Sequence, residues 1–195
     1  NIGAGIYEVT VSDANNCTSV ASVVITEPTS NVGVSIAVMS NYNGAQISCP
    51  NAADGIVEAG GVGGLAPYTY VWSNGQTTAQ ATGLQAGVVY TVTVTDASGC
   101  FVTQTATLSQ PTAIAVSVVT TTQPSCNGGV NGSAQISAMG GVGNYTYLWP
   151  DGQTTTLATG LAAGNYVVTV TDANGCFNTG IATITQPTTL LTLQT

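Results

Sequence analysis

The chain has 195 residues, only 4% of them charged, and its eight charged side chains are all acidic. Because it contains no Lys, Arg or His, it offers no cations for phosphates or an anionic membrane surface, and no histidine base for a catalytic triad. No apolar run approaches the roughly 18 residues of a membrane span. We therefore expect no nucleic-acid partner, no direct membrane insertion and no enzymatic activity.

Two phrases recur along the chain. The first reads GIYEVTVSDANNC at 5–17, GVVYTVTVTDASGC at 87–100 and GNYVVTVTDANGC at 164–176. The second reads GGLAPYTYVWSNGQTT at 63–78 and GGVGNYTYLWPDGQTT at 140–155. Such self-similarity is typical of a tandem repeat architecture.

The endings TEP, SQP and TQP close successive units and set the predicted boundaries. We predict the C-terminal part of a preceding repeat at 1–28, and full repeats at 29–111 and 112–187. The first strand of a following repeat is predicted at 188–195. The sequence is thus interpreted as an excerpt of a longer protein.

The phrases have the pattern of strands and turns. In YTVTVTD, Tyr90, Val92 and Val94 alternate with threonines, which predicts a strand with one buried face. Asn-Gly in WSNG and Asp-Gly in WPDG predict hairpin turns, and ANGC predicts a tight turn between the last two strands. About seven short strands per repeat and no helix predict an all-β chain of immunoglobulin-like sandwiches.

The aromatic residues have two interpretations. Trp72 and Trp149 fit the buried tryptophan of the third strand of such a sandwich. Tyr166 follows LAAGN and fits a tyrosine corner, and Tyr7 and Tyr90 stand at the matching positions. We favour core and corner roles for these five residues, with carbohydrate stacking as the alternative.

This series of motifs resembles the SprB repeat of very large cell-surface proteins of Bacteroidetes, including a gliding-motility adhesin. The resemblance covers nearly all of both full repeats and residues 1–28, with Asn144 in place of Pro67 and Asn131 in place of Asp54. It implies a PKD-like sandwich fold, repeats in a linear array, type IX secretion and an extracellular location at the cell surface. It supplies no catalytic residues.

We therefore expect an extracellular structural segment of a large adhesin that forms a stalk or filament for surface adhesion and gliding motility. The expected partners are neighbouring repeats of the same chain, external polysaccharide or solid surfaces, and the cell-envelope secretion or motility machinery. The alternative is that the repeats themselves are multivalent polysaccharide- or surface-binding modules. A third class, an accessory domain of a secreted hydrolase, has no feature in its favour.

Five cysteines in a chain that looks secreted favour disulfides. In a linear array the first strand brings Cys49 to the C-terminal end of its repeat, whereas the last hairpin holds Cys176 at the N-terminal end of the next. A strand spans about 20 Å, too far for a bond within one repeat. We therefore prefer Cys49–Cys176 between repeats, with Cys17, Cys100 and Cys126 pairing outside this segment. The alternative pairs within repeats are Cys49–Cys100 and Cys126–Cys176.

The carboxylates suggest one cation site. Asp54 and Asp172, with Asn51 and Asn174 nearby in sequence, could supply oxygen ligands for Ca²⁺. Asp-Gly and Asp-x-x-Gly are also ordinary turn sequences, in which the carboxylate binds its own backbone. The chain has no CxxC and no His for zinc. We therefore expect no cofactor. If the chain does bind a cation, the candidate is calcium at Asp54 and Asp172.

Overall fold

The computed structural model describes residues 2–27 and 31–188. The predicted boundary at Pro28 and nearly all of the strand predicted at 188–195 lie outside these residues. Within the described residues every regular element is a β-strand, as predicted, and no helix is present that could cross a membrane.

The structure has fourteen strands. They are β1 (Gly5–Ser12), β2 (Thr18–Ile25), β3 (Gly33–Val38), β4 (Ala53–Val62), β5 (Thr69–Trp72), β6 (Gln80–Gln85), β7 (Tyr90–Thr95), β8 (Phe101–Ala106), β9 (Ala115–Thr122), β10 (Gly132–Met139), β11 (Thr146–Leu148), β12 (Leu157–Leu161), β13 (Gly164–Thr171) and β14 (Phe177–Ile184).

The chain divides into two compact units. Unit 1 comprises Asn1–Ile36, Ala59–Ala79 and Tyr90–Thr105, and unit 2 comprises Ala37–Glu58, Gln80–Val89 and Ala106–Thr195. Unit 2 therefore contains the whole predicted repeat 112–187.

In unit 2, strands β9 to β14 form a sandwich of two three-stranded sheets, with orders β12-β10-β9 and β11-β13-β14. Both sheets contribute to one core, in which Trp149 is 1% exposed and Val168 and Val170 are completely buried. Because side chains alternate along β13, the threonines at 169 and 171 are left half-buried on the other face. The alternating pattern of the sequence thus produces the sandwich.

Strands β3 to β8 have the same topology. They form sheets with orders β3-β4-β6 and β5-β7-β8, which match those of the second repeat strand by strand. On β7, Tyr90, Val92 and Val94 are buried, as the alternation predicts. Both repeats therefore have the strand orders expected of immunoglobulin-like sandwiches.

Strands β1 and β2 form a two-stranded antiparallel sheet in unit 1, paired from Gly5↔Ile25 to Ser12↔Thr18. Val9 and Val11 occupy the positions of Val168 and Val170 of β13, but they are 58% and 63% exposed. The pairing of β1 with β2 corresponds to that of β13 with β14 in the second repeat.

Two expectations about local structure are wrong. Each full repeat has six strands rather than about seven, because residues 39–52 form turns and one isolated bridge between Tyr42 and Ala45. The WSNG and WPDG turns form, but neither is a hairpin turn, because WSNG joins β5 to β6 and WPDG joins β11 to β12, and the two strands of each pair belong to different sheets. Beyond the WPDG turn, the Trp149 indole Nε1–H donates to the Thr155 carbonyl, 2.9 Å away, and ties the chain after the turn to the core tryptophan.

Two of the predicted tyrosine corners are visible as hydrogen bonds. The Tyr166 hydroxyl donates to the Ala162 carbonyl at 3.2 Å, and the Tyr7 hydroxyl donates to the Gly3 carbonyl at 2.8 Å. Each bond spans four residues and fixes the chain at the start of its strand. In the third copy, Tyr90 is 8% exposed and belongs to the core.

Replacing Tyr166 with Phe tests the corner, because it removes the hydroxyl and keeps the ring. We expect a loss of about 1 kcal/mol in the free energy of unfolding, since the half-buried Ala162 carbonyl loses its donor. Urea denaturation followed by tryptophan fluorescence measures this. Tyr7→Phe removes the same bond in the exposed hairpin and should have a smaller effect, whereas a Tyr166→Phe chain of wild-type stability would contradict the corner.

Candidate functional site

The strongest candidate site is a disulfide in unit 2. Cys49, in the loop between β3 and β4, bonds to Cys176 at the turn before β14, with an S–S distance of 2.00 Å and a Cα–Cα distance of 5.6 Å. This is the pair that the sequence analysis preferred, and neither pair within a repeat forms. Cys17, Cys100 and Cys126 are exposed free thiols, and their pairing outside this segment stays a prediction.

The position of Cys176 is set by the carboxylate of Asp172. Its Oδ1 accepts the backbone N–H of Asn174 and of Cys176, both at 2.9 Å. The Asp172 amide in turn donates to the Cys176 carbonyl at 2.9 Å. Gly175 completes the turn with φ of +83°, which glycine adopts at low steric cost.

The same turn occurs in the other two copies of the phrase. Asp13 Oδ1 accepts from the amides of Asn15 and Cys17, at 2.8 and 2.9 Å. Asp96 Oδ1 accepts from those of Ser98 and Cys100, both at 2.9 Å. Aspartate four residues before cysteine is therefore a turn motif that fixes the cysteine backbone. This explains why the phrase recurs almost unchanged.

In both full repeats, the second carboxylate oxygen of this aspartate ties the hairpin to a glycine-rich loop. Asp172 Oδ2 accepts the Val142 amide at 2.9 Å, and Asp96 Oδ2 accepts the Leu65 amide at 3.0 Å. Gly141 has φ of +61°, and a Cβ there would lie 2.6 Å from Asp172 Oδ2. The sequence analysis missed this link. The available signal was the nearly constant number of residues between the glycine-rich phrase and the phrase that ends in cysteine in the two full repeats.

A glutamine holds the loop that carries Cys49. Gln110 Oε1 accepts the Asn51 amide at 2.7 Å, beside a turn closed by the Ala52 amide and the Cys49 carbonyl at 3.0 Å. In the second repeat, Gln186 Oε1 accepts the Gly128 amide at 3.1 Å, beside the corresponding turn at Cys126. The Gln-Pro ending of a repeat is therefore more than a boundary mark, because it anchors the cysteine loop.

Asn174 links the hairpin to the Cys49 loop. Its Nδ2 donates to the carbonyls of Tyr42 and Ser48, both at 3.1 Å, and its Oδ1 accepts from Asn43 Nδ2 at 2.7 Å. The Cys176 sulfur lies 3.2 Å from the Ser48 carbonyl oxygen. This approach is a van der Waals contact and not a hydrogen bond, because a disulfide sulfur has no hydrogen to donate.

An open cleft of about 430 Å³ adjoins the disulfide. Its walls contain no ionisable group, because the two cysteines that line it are joined in the disulfide. The lining residues are Cys49, Pro50, Ala113, Ile114, Gly175, Cys176, Phe177 and Asn178. Such a lining offers contact surface and no acid, base or nucleophile.

The two calcium candidates have structural hydrogen bonds. The oxygens of Asp172 accept three backbone amides, and Asp54 Oδ1 accepts the Ser48 amide at 3.2 Å. Asn131, at the position of Asp54 in the second repeat, accepts the Ser125 amide at 2.9 Å, so that position needs an oxygen acceptor rather than a charge. The described residues contain no group of three or more His, Cys, Asp or Glu side chains suited to a metal. A calcium role stays a prediction.

The two tryptophans lie in the core. Trp72 is 2% exposed, and its indole Nε1–H donates to the Thr78 carbonyl at 2.9 Å. The Trp149 indole makes the equivalent bond to the Thr155 carbonyl in the second repeat. The exposed aromatic rings are instead Phe101 and Phe177, which follow the hairpin cysteines and are 70% and 72% exposed. The sequence analysis did not single out these two phenylalanines. Strand alternation shows which side chains share a face, but it does not show whether another part of the chain covers that face.

Comparisons with known proteins agree with the repeat interpretation. Residues 41–77 and 118–154 match the model of the SprB repeat. Among solved structures, the chain is similar to the fibronectin(III)-like modules of Clostridium thermocellum CbhA, with 12% identity and a TM-score of 0.30 over 78% of this chain and 95% of that chain. No curated protein matches the chain.

The pKa of Asp96 is lowered from its ordinary value of 3.8, first by the hydrogen bond from the Ser98 hydroxyl and then by backbone amides, while burial acts in the opposite direction. Because folding favours the ionised form, the stabilisation is complete above the ordinary pKa. It is lost as the pH falls below 3.8 and through the lower folded pKa.

Melting temperatures measured from neutral pH into this acid range should therefore fall less steeply for Asp96→Asn, which keeps an oxygen acceptor and does not titrate. The other seven acidic groups are common to both chains, so the difference isolates Asp96. Parallel acid profiles for the two chains would contradict this role.

Replacing Gly141 with Ala should destabilise the second sandwich by about 1–3 kcal/mol, because of its positive φ and because the new Cβ would displace the Asp172 carboxylate. Gly143→Ala is the matched control, since a Cβ there meets nothing within 4 Å. Urea denaturation measures both. Equal effects of the two substitutions would show that the close approach at Gly141 is unimportant.

Proposed function

We propose that the chain is an extracellular structural segment of a very large bacterial cell-surface adhesin, because residues 41–77 and 118–154 match the model of the SprB repeat. The repeats form an extended stalk or filament for surface adhesion and gliding motility, exported by the type IX system. The repeat family and the disulfide support the coarser statement that this is an extracellular repeat module.

The observation that carries this proposal is the bond between Cys49 and Cys176. It joins a loop of the predicted repeat 29–111 to a hairpin of the predicted repeat 112–187, across 127 residues of sequence. In the chain-entropy description, closing a loop of this length stabilises the folded state by about 4–5 kcal/mol. Disulfides of this kind persist in oxidising, extracellular environments.

A staple between repeats suits a load-bearing element. Repeats interact mainly with their neighbours, and junctions between domains flex by default. A covalent bond at a junction opposes both bending and separation. Cys100 and Cys126 sit in the same turns as Cys176 and Cys49, so we propose that they continue the series by pairing with a preceding and a following repeat.

The chemistry of the candidate site favours structure over catalysis. The carboxylates of Asp13, Asp96 and Asp172 each accept backbone amides of their own turn. The family is typically composed of non-catalytic structural modules. No acid–base pair is formed by these groups.

The exposed phenylalanines favour a second candidate function. Phe101 and Phe177 present large apolar rings at the same position of both repeats. A ring of this kind can pack on the apolar face of a sugar or on a polymer surface, and many weak copies along a chain give avidity. In this alternative the repeats themselves bind polysaccharide or solid surfaces.

Single-molecule extension of the 195-residue chain tests the structural role. With the bond closed, the enclosed segment cannot extend, so complete unfolding should release about 440 Å less chain than under reductant. Cys49→Ser should release the full length without reductant. Cys126→Ser, which removes a thiol outside the bond, should behave as the oxidised wild type. An extension unaffected by reductant would overturn the staple.

Binding assays of the same chain on glycan arrays and on polymer and glass surfaces separate the two candidates. Saturable binding that is lost in Phe101→Ala/Phe177→Ala, and kept when the exposed Val119 is replaced with Ala, would establish the binding function. Absence of binding, together with reductant-sensitive extension, would leave the structural function.

A further inference from the structure

We propose that Asn174 is a positioning residue that selects Cys49 as the partner of Cys176. It does so by binding the loop at residues 41–48, here called the docking loop, before the covalent bond forms. The inference goes beyond the proposed function, because the selection operates whether the segment is a stalk or a binding surface.

The choice of partner needs an explanation. The chain contains four other cysteines with which Cys176 could pair. Cys126 is much nearer to it in sequence than Cys49, which lies 127 residues away. Loop-closure entropy alone favours Cys126 over Cys49 by about fourfold. The observed pair therefore depends on noncovalent contacts that bring the distant loop to the hairpin.

Asn174 supplies these contacts with every polar group of its side chain. The two amide hydrogens meet the carbonyls of Tyr42 and Ser48, each at 3.1 Å, and Oδ1 meets Asn43 Nδ2 at 2.7 Å. Because carbonyl oxygens can only accept, the reversed amide would place oxygen against oxygen, so the orientation is fixed. One bound carbonyl belongs to Ser48, the residue directly before Cys49.

The docking loop is held ready for this contact. Tyr42 and Ala45 exchange backbone hydrogen bonds at 2.7 and 3.0 Å, and the Ser40 hydroxyl donates to the Gln46 carbonyl at 2.7 Å. Gln46 Oε1 in turn accepts the Ser109 amide at 2.8 Å. The carbonyls that Asn174 binds are therefore part of an ordered loop, so little freedom is lost on docking.

Cys126 lacks such a loop. The chain between β3 and Cys49 comprises residues 39–48, whereas only residues 123–125 separate β9 from Cys126. The second repeat therefore has no counterpart of the turn at Tyr42 and Asn43. Asn174 discriminates between the two cysteines because only one of them is preceded by a loop that it can bind.

The contact belongs to the Asn174 side chain and not to the hairpin as such. In the equivalent hairpin of the first repeat the position is occupied by Ser98, whose hydroxyl donates to its own Asp96 carboxylate at 2.7 Å. The backbone turn is the same in both, since Asp96 and Asp172 hold the same two amides. Serine thus preserves the turn and removes the recognition.

The covalent step is thiol–disulfide exchange with a small-molecule disulfide such as oxidised glutathione. The Cys176 thiolate forms a mixed disulfide and releases one glutathione thiol. The Cys49 thiolate then attacks the Cys176 sulfur and releases the second. The two cysteines lose two electrons and two protons, which the two glutathione molecules gain. Docking by Asn174 favours the second attack by raising the effective concentration of Cys49 at Cys176.

The test is oxidative refolding of the reduced full chain in a glutathione buffer, with the pairs mapped by chymotryptic digestion and mass spectrometry. For Asn174→Ser we expect the equilibrium constant for the Cys49–Cys176 bond to fall roughly tenfold or more, since three hydrogen bonds are lost. Cys176 should appear instead as its glutathione mixed disulfide or bonded to Cys126. Asn43→Gly, which removes one bond from the other side and accommodates the φ of +50° at this position, should give a smaller fall.

Asn15→Ala is the matched control, because it changes the same position of the β1–β2 hairpin and should leave the pairing unchanged. Tryptophan fluorescence of the reduced chains checks that the sandwiches fold. A wild-type equilibrium constant in Asn174→Ser, or an equal fall in Asn15→Ala, would overturn the proposal. Additive effects of Asn174→Ser and Asn43→Gly in a double-mutant cycle would also contradict a direct contact between the two residues.

Discussion

The site around the Cys49–Cys176 disulfide depends on one interaction, the binding of backbone amides by the carboxylate of Asp172. One oxygen closes the turn that ends in Cys176, and the other holds the glycine-rich loop through Val142. Without this anion the turn would have unpaired amides in a nearly buried site, where an unpaired donor is costly. Cysteine and asparagine side chains can act at this turn because their backbone is already fixed.

The contacts around the disulfide divide into three tasks. The carboxylate shapes the hairpin, Gln110 anchors the loop on the other side, and Asn174 joins the two. The covalent bond then makes the contact permanent under oxidising conditions. Hydrogen bonds give the geometry and the selectivity, whereas the disulfide gives resistance to separation. This division is what the proposed structural role of the segment would require.

The unusual composition of the chain is consistent with such a role. The carboxylates of Asp13, Asp96 and Asp172 serve their own turns, and the threonines on the outward faces of β7 and β13 are uncharged and half-buried. The tryptophans supply the cores, so the aromatic content gives little sign of a sugar-binding face. Phe101 and Phe177 are the exception, and they keep surface binding as a second candidate function.

The sequence by itself determined the buried faces of β7 and β13 and the turns from aspartate to cysteine, because these depend on alternation and on neighbours within four residues. It also favoured Cys49 with Cys176, through the direction in which strands run. It could not reveal that WPDG leads into a different sheet. The link from Asp172 to Val142 and the contact of Asn174 with Tyr42 were decided by tertiary structure alone, because each joins segments whose approach depends on how the sheets pack.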